Sequence, residues 1–114
     1  MELVVLDDGA AGPLRLAIKG RLDAVGTAAV EQGLLAALSD AGRDVMVDIS
    51  GVGFVGSLGI RMLIAAARQS ARQGARMVLV APQPSVGDVF AAVALDDLLP
   101  VVADPPAARA VFQG

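Results

Sequence analysis

Histidine and cysteine are both absent from this chain. Without cysteine there is no disulfide framework and no thiolate nucleophile. Without histidine the commonest general base and the commonest metal ligand disappear together. Tyrosine and tryptophan are missing too, and the 3 phenylalanines are the whole aromatic complement, which leaves no stacking platform for single-stranded nucleic acid. Basic charge is in short supply: 9 Lys and Arg against 12 Asp and Glu give a net charge of −3, the wrong sign for gripping a phosphate backbone. No apolar run approaches the ~18 residues of a membrane span. Met1 leads into "ELVVLDDG" with neither a basic stretch nor a small-residue cleavage site. The expectation is one cytoplasmic domain, residues 1–114, built on a single core. It should bind or switch rather than catalyse, with no cofactor and no metal.

What is present is a 55% hydrophobic fraction laid out in short periodic blocks. "ELVVL" reads as a strand and "DDGAAGP" as a turn. "LRLAIKGRL" alternates, with Leu14, Leu16 and Ile18 on one face and Arg15, Ala17 and Lys19 on the other. This predicts a second strand with one wet face, antiparallel to the first. From Val25 to Ala41 a stripe of Ala29, Val30, Gly33, Leu34, Ala37 and Leu38 predicts a helix. Asp23 or Thr27 is placed to cap it and Gly42 to end it.

"DVMVDIS" reads as a buried strand leading into a glycine-spaced loop, followed by a helix from Leu58 to about Gln73. That helix carries Arg61, Ala65, Arg68 and Arg72 on its polar face, with Gly74 ending it. "ARMVLVAP" is the next buried strand, "SVGDVFAAVAL" a short helix with Ser85 as its cap, and "LLPVVA" a weak strand. In "DPPAARAVFQ" an aspartate followed by proline starts the last helix. The order β-β-α-β-α-β-α-β-α defines a single α/β domain. Its mostly parallel central sheet has about five strands, covered by about four helices.

Ser57, in "VDISGVGFVGSLGIRML", is the residue on which function turns. A nucleophile elbow needs glycines two before and two after the serine. Here the earlier position is Val55, and a chain without histidine builds no Ser-His-Asp relay. A receiver-domain reading of Asp7, Asp8 and Asp48 fails because "LRLAIKG" intervenes where that fold enters its first helix. Asp7 and Asp8 are then solvated turn residues. The dense glycines match neither G-x-x-x-x-G-K-[ST] nor G-x-G-x-x-G. Two compatible roles remain for Ser57. It can be an N-cap. It can also accept a phosphate, which the helix start favours and which Arg61, at i+4, is spaced to pair with.

Three stretches carry a family resemblance: "IKGRLDAVGTAAVEQGL", "VMVDISGVGFVGSLGIRML" and "GARMVLVAPQPSVGDVFAAVALDDLLPVVADPPAA". The sequence resembles the STAS domain family, which includes the anti-sigma factor antagonists and the cytoplasmic domains of sulfate transporters. The resemblance implies a partner-switching module. Its serine, matched by Ser57, is phosphorylated by an ATP-dependent anti-sigma factor serine kinase with an ATPase fold and reset by a serine phosphatase. It implies a partner-binding surface of Asp23, Gly56, Ser57, Leu58 and Arg61, no nucleic-acid binding and no membrane insertion. The oligomeric state stays open between a monomer and a weak dimer. The family's hallmark Asp and second Ser are replaced by Gly56 and Leu58, and Arg61 stands where a small glycine is common. These departures motivate the alternative of an unphosphorylated STAS scaffold within a transporter-associated or signalling complex.

Overall fold

The computed structural model describes residues 2–7 and 12–113. Its five strands are β1 (Glu2–Asp7), β2 (Leu14–Leu22), β3 (Val45–Val55), β4 (Met77–Val80) and β5 (Val101–Val102). Its four helices are α1 (Ala24–Ala41), α2 (Ser57–Arg72), α3 (Pro84–Ala92) and α4 (Pro105–Gln113), with a 3-10 turn at Leu95–Asp97. The strands form one sheet in the order β1-β2-β3-β4-β5. β1 is antiparallel to β2, and every later pair is parallel. Both the element order and the mixed α/β sheet match expectation.

Each parallel step moves one place along the sheet in the same direction. Right-handed crossovers therefore put α1, α2 and α3 on one face. The main core lies there: Leu16, Ile18, Val47 and Leu79 pack with Leu34 and Leu38 of α1, Leu63 of α2 and Phe90 of α3. On the opposite face α4 covers Met46, Val78 and Val80 through Ala108. β2 keeps the read alternation: Leu14, Leu16 and Ile18 are buried, Arg15 is half-buried and Lys19 exposed, although Ala17 is buried too.

Four expectations change. The glycine stretch after Asp48 is no loop. β3 runs on to Val55, pairing Gly51 with Lys19 and Val52 with Gly20, with two register shifts along the ladder. Val52 and Val55 are buried, so the extension is anchored in the core. Ser85 does not cap α3. The helix starts at Pro84 after Gln83, whose amide donates to the Ser50 carbonyl at 2.8 Å instead of capping. On α1, Ala29 and Gly33 are exposed, and the buried row is Gly26, Thr27, Val30, Leu34 and Leu38. Asp7 ends β1 and is no turn residue, whereas Asp8 lies outside the described residues. At the other boundaries, Gly42 ends α1 at φ 58° and Gly74 follows α2 at φ 75°, the left-handed backbone that glycine adopts without cost. The Asp104 carboxylate accepts from the Ala107 N–H at 2.9 Å, capping α4.

Candidate functional site

Every parallel strand feeds a helix, so all four helices begin at the carboxyl edge of the sheet. Ligands of open α/β sheets gather at this edge. Asp23 and Ser57 meet there. The Gly56 N–H donates to the Leu22 carbonyl at 2.9 Å, tying the end of β3 to the end of β2 one residue before each helix begins.

At the start of α1 the Asp23 backbone is extended (φ −86°, ψ −172°). Its carboxylate accepts from the Gly26 N–H at 2.8 Å, making Asp23 the N-cap. Thr27, the other candidate cap, lies within the helix, and its buried hydroxyl has no hydrogen-bond partner. Gly26 fits only as glycine, because a Cβ there would overlap the Arg21 carbonyl oxygen.

At the start of α2 the cap is Gly56, not Ser57. Gly56 is extended (φ −101°, ψ −178°), and its carbonyl accepts the first helical bond, from the Ile60 N–H at 3.0 Å. No side chain caps this end. Ser57 is the first helical residue, with an exposed side chain. The serine was expected as cap because serine is the favoured cap residue, but the helix begins one residue earlier than expected, at Ser57, and leaves the cap position to Gly56. The N–H groups of Ser57, Leu58 and Gly59 have no carbonyl one turn back to bond. With the helix dipole they give this end a positive character.

α2 can approach the sheet this closely because of Gly59, whose hypothetical Cβ would lie 2.8 Å from Leu22 Cβ and 3.0 Å from the Leu22 carbonyl oxygen. Leu58 and Arg61 then line a cleft of about 270 Å³ with Ala24, Thr27, Glu31 and Met62 of the two helices. The fold thus gathers Asp23, Gly56, Ser57, Leu58 and Arg61 around the starts of α1 and α2.

Sequence reasoning missed part of this surface. Arg21 pairs with Phe54 across the β2–β3 ladder, and its guanidinium lies 4.5 Å from the Phe54 ring centroid. Arg21 Nε is 3.7 Å from an Asp23 carboxylate oxygen, an exposed ion pair that adds little stability. Phe54, Leu58 and the 80% exposed Val25 make the surroundings unusually apolar for a free surface. The one legible signal was the pair of a lone aromatic and an arginine at the ends of adjacent strands. Their register depends on the β3 extension, which the glycine-rich composition concealed. Among the described residues no group of three carboxylates is placed to hold a metal ion, and no helix is long and apolar enough to cross a membrane.

The fold has known counterparts. A family model described as "Mlab, STAS domain" matches residues 6–100, and the chain belongs to the STAS domain family. No curated protein sequence matches it. An anti-sigma factor antagonist from Mycobacterium paratuberculosis is similar at 23% identity and a TM-score of 0.82, covering 99% of this chain and 96% of that one. A STAS domain protein from Planctomyces limnophilus, also described as an anti-sigma factor antagonist, shares 19% identity at a TM-score of 0.81, with 98% of each chain covered. The phosphorylated form of the Bacillus cell fate determinant SpoIIAA shares 17% identity at a TM-score of 0.66, covering 96% of this chain and 97% of that one. At these identities the structural likeness concerns the fold.

Proposed function

We propose that residues 1–114 act as one regulatory STAS module that binds an anti-sigma factor serine kinase and is switched by phosphorylation of Ser57. The carrying observation is the start of α2: an exposed serine on the first helical residue, beside three N–H groups without helical partners and no capping side chain. The partner face comprises Asp23, Gly56, Ser57, Leu58 and Arg61, flanked by the exposed apolar side chains of Val25 and Phe54. In the modification step the kinase moves the γ-phosphoryl group of ATP onto Ser57 Oγ, the hydroxyl proton is lost and ADP leaves. The product carries about −1.5 to −2 charges at neutral pH, held by the helix end and within reach of Arg61. A phosphatase returns the hydroxyl by hydrolysis. The module is a binder and not a catalyst, and a kinase that draws on cellular ATP sets it in the cytoplasm.

The test is to incubate the purified chain with an ATP-dependent anti-sigma factor serine kinase and radiolabelled ATP. Label should enter the wild type and be lost in Ser57→Ala, and Ser57→Asp should bind the kinase more weakly. Equal labelling of Ser57→Ala would remove Ser57 as the acceptor. Gly56 supports a second reading, a scaffold that never cycles through phosphate, because the family's hallmark carboxylate is missing beside the serine. That reading requires no label in the wild type and binding indifferent to Ser57→Asp.

A further inference from the structure

Arg43, Arg76 and Arg109 gather at the amino edge of the sheet, away from Ser57. The strand starts are stitched together there: the Leu14 N–H donates to the Asp44 carbonyl at 2.9 Å, and the Val45 N–H to the Arg76 carbonyl at 2.9 Å. The helices end at this edge, and a helix end carries negative partial charge that suits a cation. Arg76 is accounted for in that way. Its Nη1 donates to the Val111 carbonyl in the last turn of α4 at 2.6 Å, and its backbone N–H donates to the Asp44 carboxylate at 2.8 Å.

Arg43 and Arg109 are not. Arg43 sits in the short connection from α1 to β3, half-buried, and its buried Nε has no hydrogen-bond partner. Arg109 is exposed on α4. Neither belongs to the one ion pair among the described residues, Arg21–Asp23. Burying part of a guanidinium without an acceptor costs free energy that a bound anion would return.

The two arginines line one cleft of about 450 Å³ together with Pro13, Asp44, Phe112 and Gln113. Arg109, Phe112 and Gln113 are spaced i, i+3 and i+4, so one flank of α4 supplies a cation, an aromatic ring and an amide. Phe112 is held against the cluster of Met46, Val78 and Val80, which fixes that wall, and Pro13 adds a second apolar surface. The carboxylate in the cleft, Asp44, already accepts the Arg76 N–H. Two guanidiniums therefore face one engaged carboxylate, in a chain whose net charge is −3.

We propose that this cleft binds a small phosphate monoester, its phosphate between Arg43 and Arg109 and its ester carbons against Pro13 and Phe112. A guanidinium presents paired N–H donors that match the oxygens of a phosphate. A phosphate monoester carries about −1.5 to −2 charges at neutral pH. That charge balances two arginines, where a single carboxylate balances one. The Gln113 amide has donors for a remaining oxygen. The cleft volume falls among the roughly 300–1,000 Å³ of small-molecule sites. None of these residues belongs to the partner face, so the site stands whether or not Ser57 is phosphorylated.

Calorimetric titration of the purified chain with glycerol 3-phosphate tests this. Wild type should bind one equivalent and saturate below about 10 mM. Arg43→Gln and Arg109→Gln should each raise the dissociation constant about ten-fold or more. Arg109 is exposed, so its variant keeps the fold, and circular dichroism of Arg43→Gln separates lost binding from lost folding. Arg43→Lys keeps the charge without the fork and should bind between wild type and Arg43→Gln. Arg68→Gln, at an exposed position of α2 outside the cleft, should bind as wild type does. Inorganic phosphate, which leaves Pro13 and Phe112 uncovered, should bind about ten-fold more weakly, and glycerol should not bind. No saturation by about 10 mM, equal affinity for inorganic phosphate, or equal losses in Arg68→Gln and Arg109→Gln would each overturn the proposal.

Discussion

Gly59 and Leu22 stand so close that α2 has room for a hydrogen and nothing larger: a methyl on Gly59 would fall 2.8 Å from Leu22 Cβ. Gly59→Ala gains up to about 1 kcal/mol in helix propensity and meets an overpacking cost of about 1–3 kcal/mol. A net loss of about 1 kcal/mol in urea unfolding is expected. Gly26→Ala should cost more, about 3 kcal/mol, because there the added methyl overlaps the Arg21 backbone carbonyl oxygen outright, whereas at Gly59 the Leu22 carbonyl oxygen stays 3.0 Å away. Equal midpoints for the two variants would contradict the close packing of either helix start.

Gly56→Asp should be tolerated and mildly stabilising. Its backbone is in the extended region that any residue adopts, and a Cβ would come no nearer than 3.4 Å, to the edge of the Phe54 ring. An aspartate at an N-cap outranks glycine by a few tenths of a kcal/mol, with up to about 1 kcal/mol more from the helix dipole. Thermal unfolding should show a rise in Tm. The same variant, given to the kinase, reports whether the missing carboxylate limits phosphorylation.

Thr27→Val keeps the shape of the side chain and removes a buried hydroxyl that has no partner. Removing an unsatisfied group relieves a desolvation cost of about 1–3 kcal/mol. The variant should be at least as stable as wild type, and a loss of more than about 1 kcal/mol in urea would mean that the hydroxyl is bonded in solution.

Arg21 and Phe54 should couple. In a double-mutant cycle of Arg21→Ala and Phe54→Ala, the interaction energy is expected at about 0.5–1 kcal/mol, as for a partly exposed cation–π pair. Both single variants should weaken partner binding more than they weaken the fold, because the pair lies beside the proposed docking face and outside the core.

Much of the architecture was legible because burial imposes periodicity. The alternation of Leu14, Leu16 and Ile18, the stripe of Val30, Leu34 and Leu38 and the all-buried Met77–Val80 run each announce their element. Boundaries fared worse where glycine was concerned. Gly51 and Gly53 suggested a loop, yet Val52 and Val55 reach the core and hold the strand together. That extension brought Phe54 opposite Arg21, while the helix, starting one residue early at Ser57, made Gly56 the cap. The need for glycine at 26 was hidden for another reason: the clash is with a backbone carbonyl near the end of β2, and no local pattern records it.

The helix starts along the carboxyl edge are electrically unequal. α1 and α4 each begin under an aspartate whose carboxylate receives a backbone N–H, while α2 and α3 begin under Gly56 and Gln83, neither of which supplies a capping side chain. Half of the edge is thus already neutralised and the other half is not. The edge has a polarity of its own, whatever the net charge of the molecule. An anion approaching this otherwise acidic protein is turned away from Asp23 and Asp104 and left one sheltered stretch, the stretch that opens with Ser57.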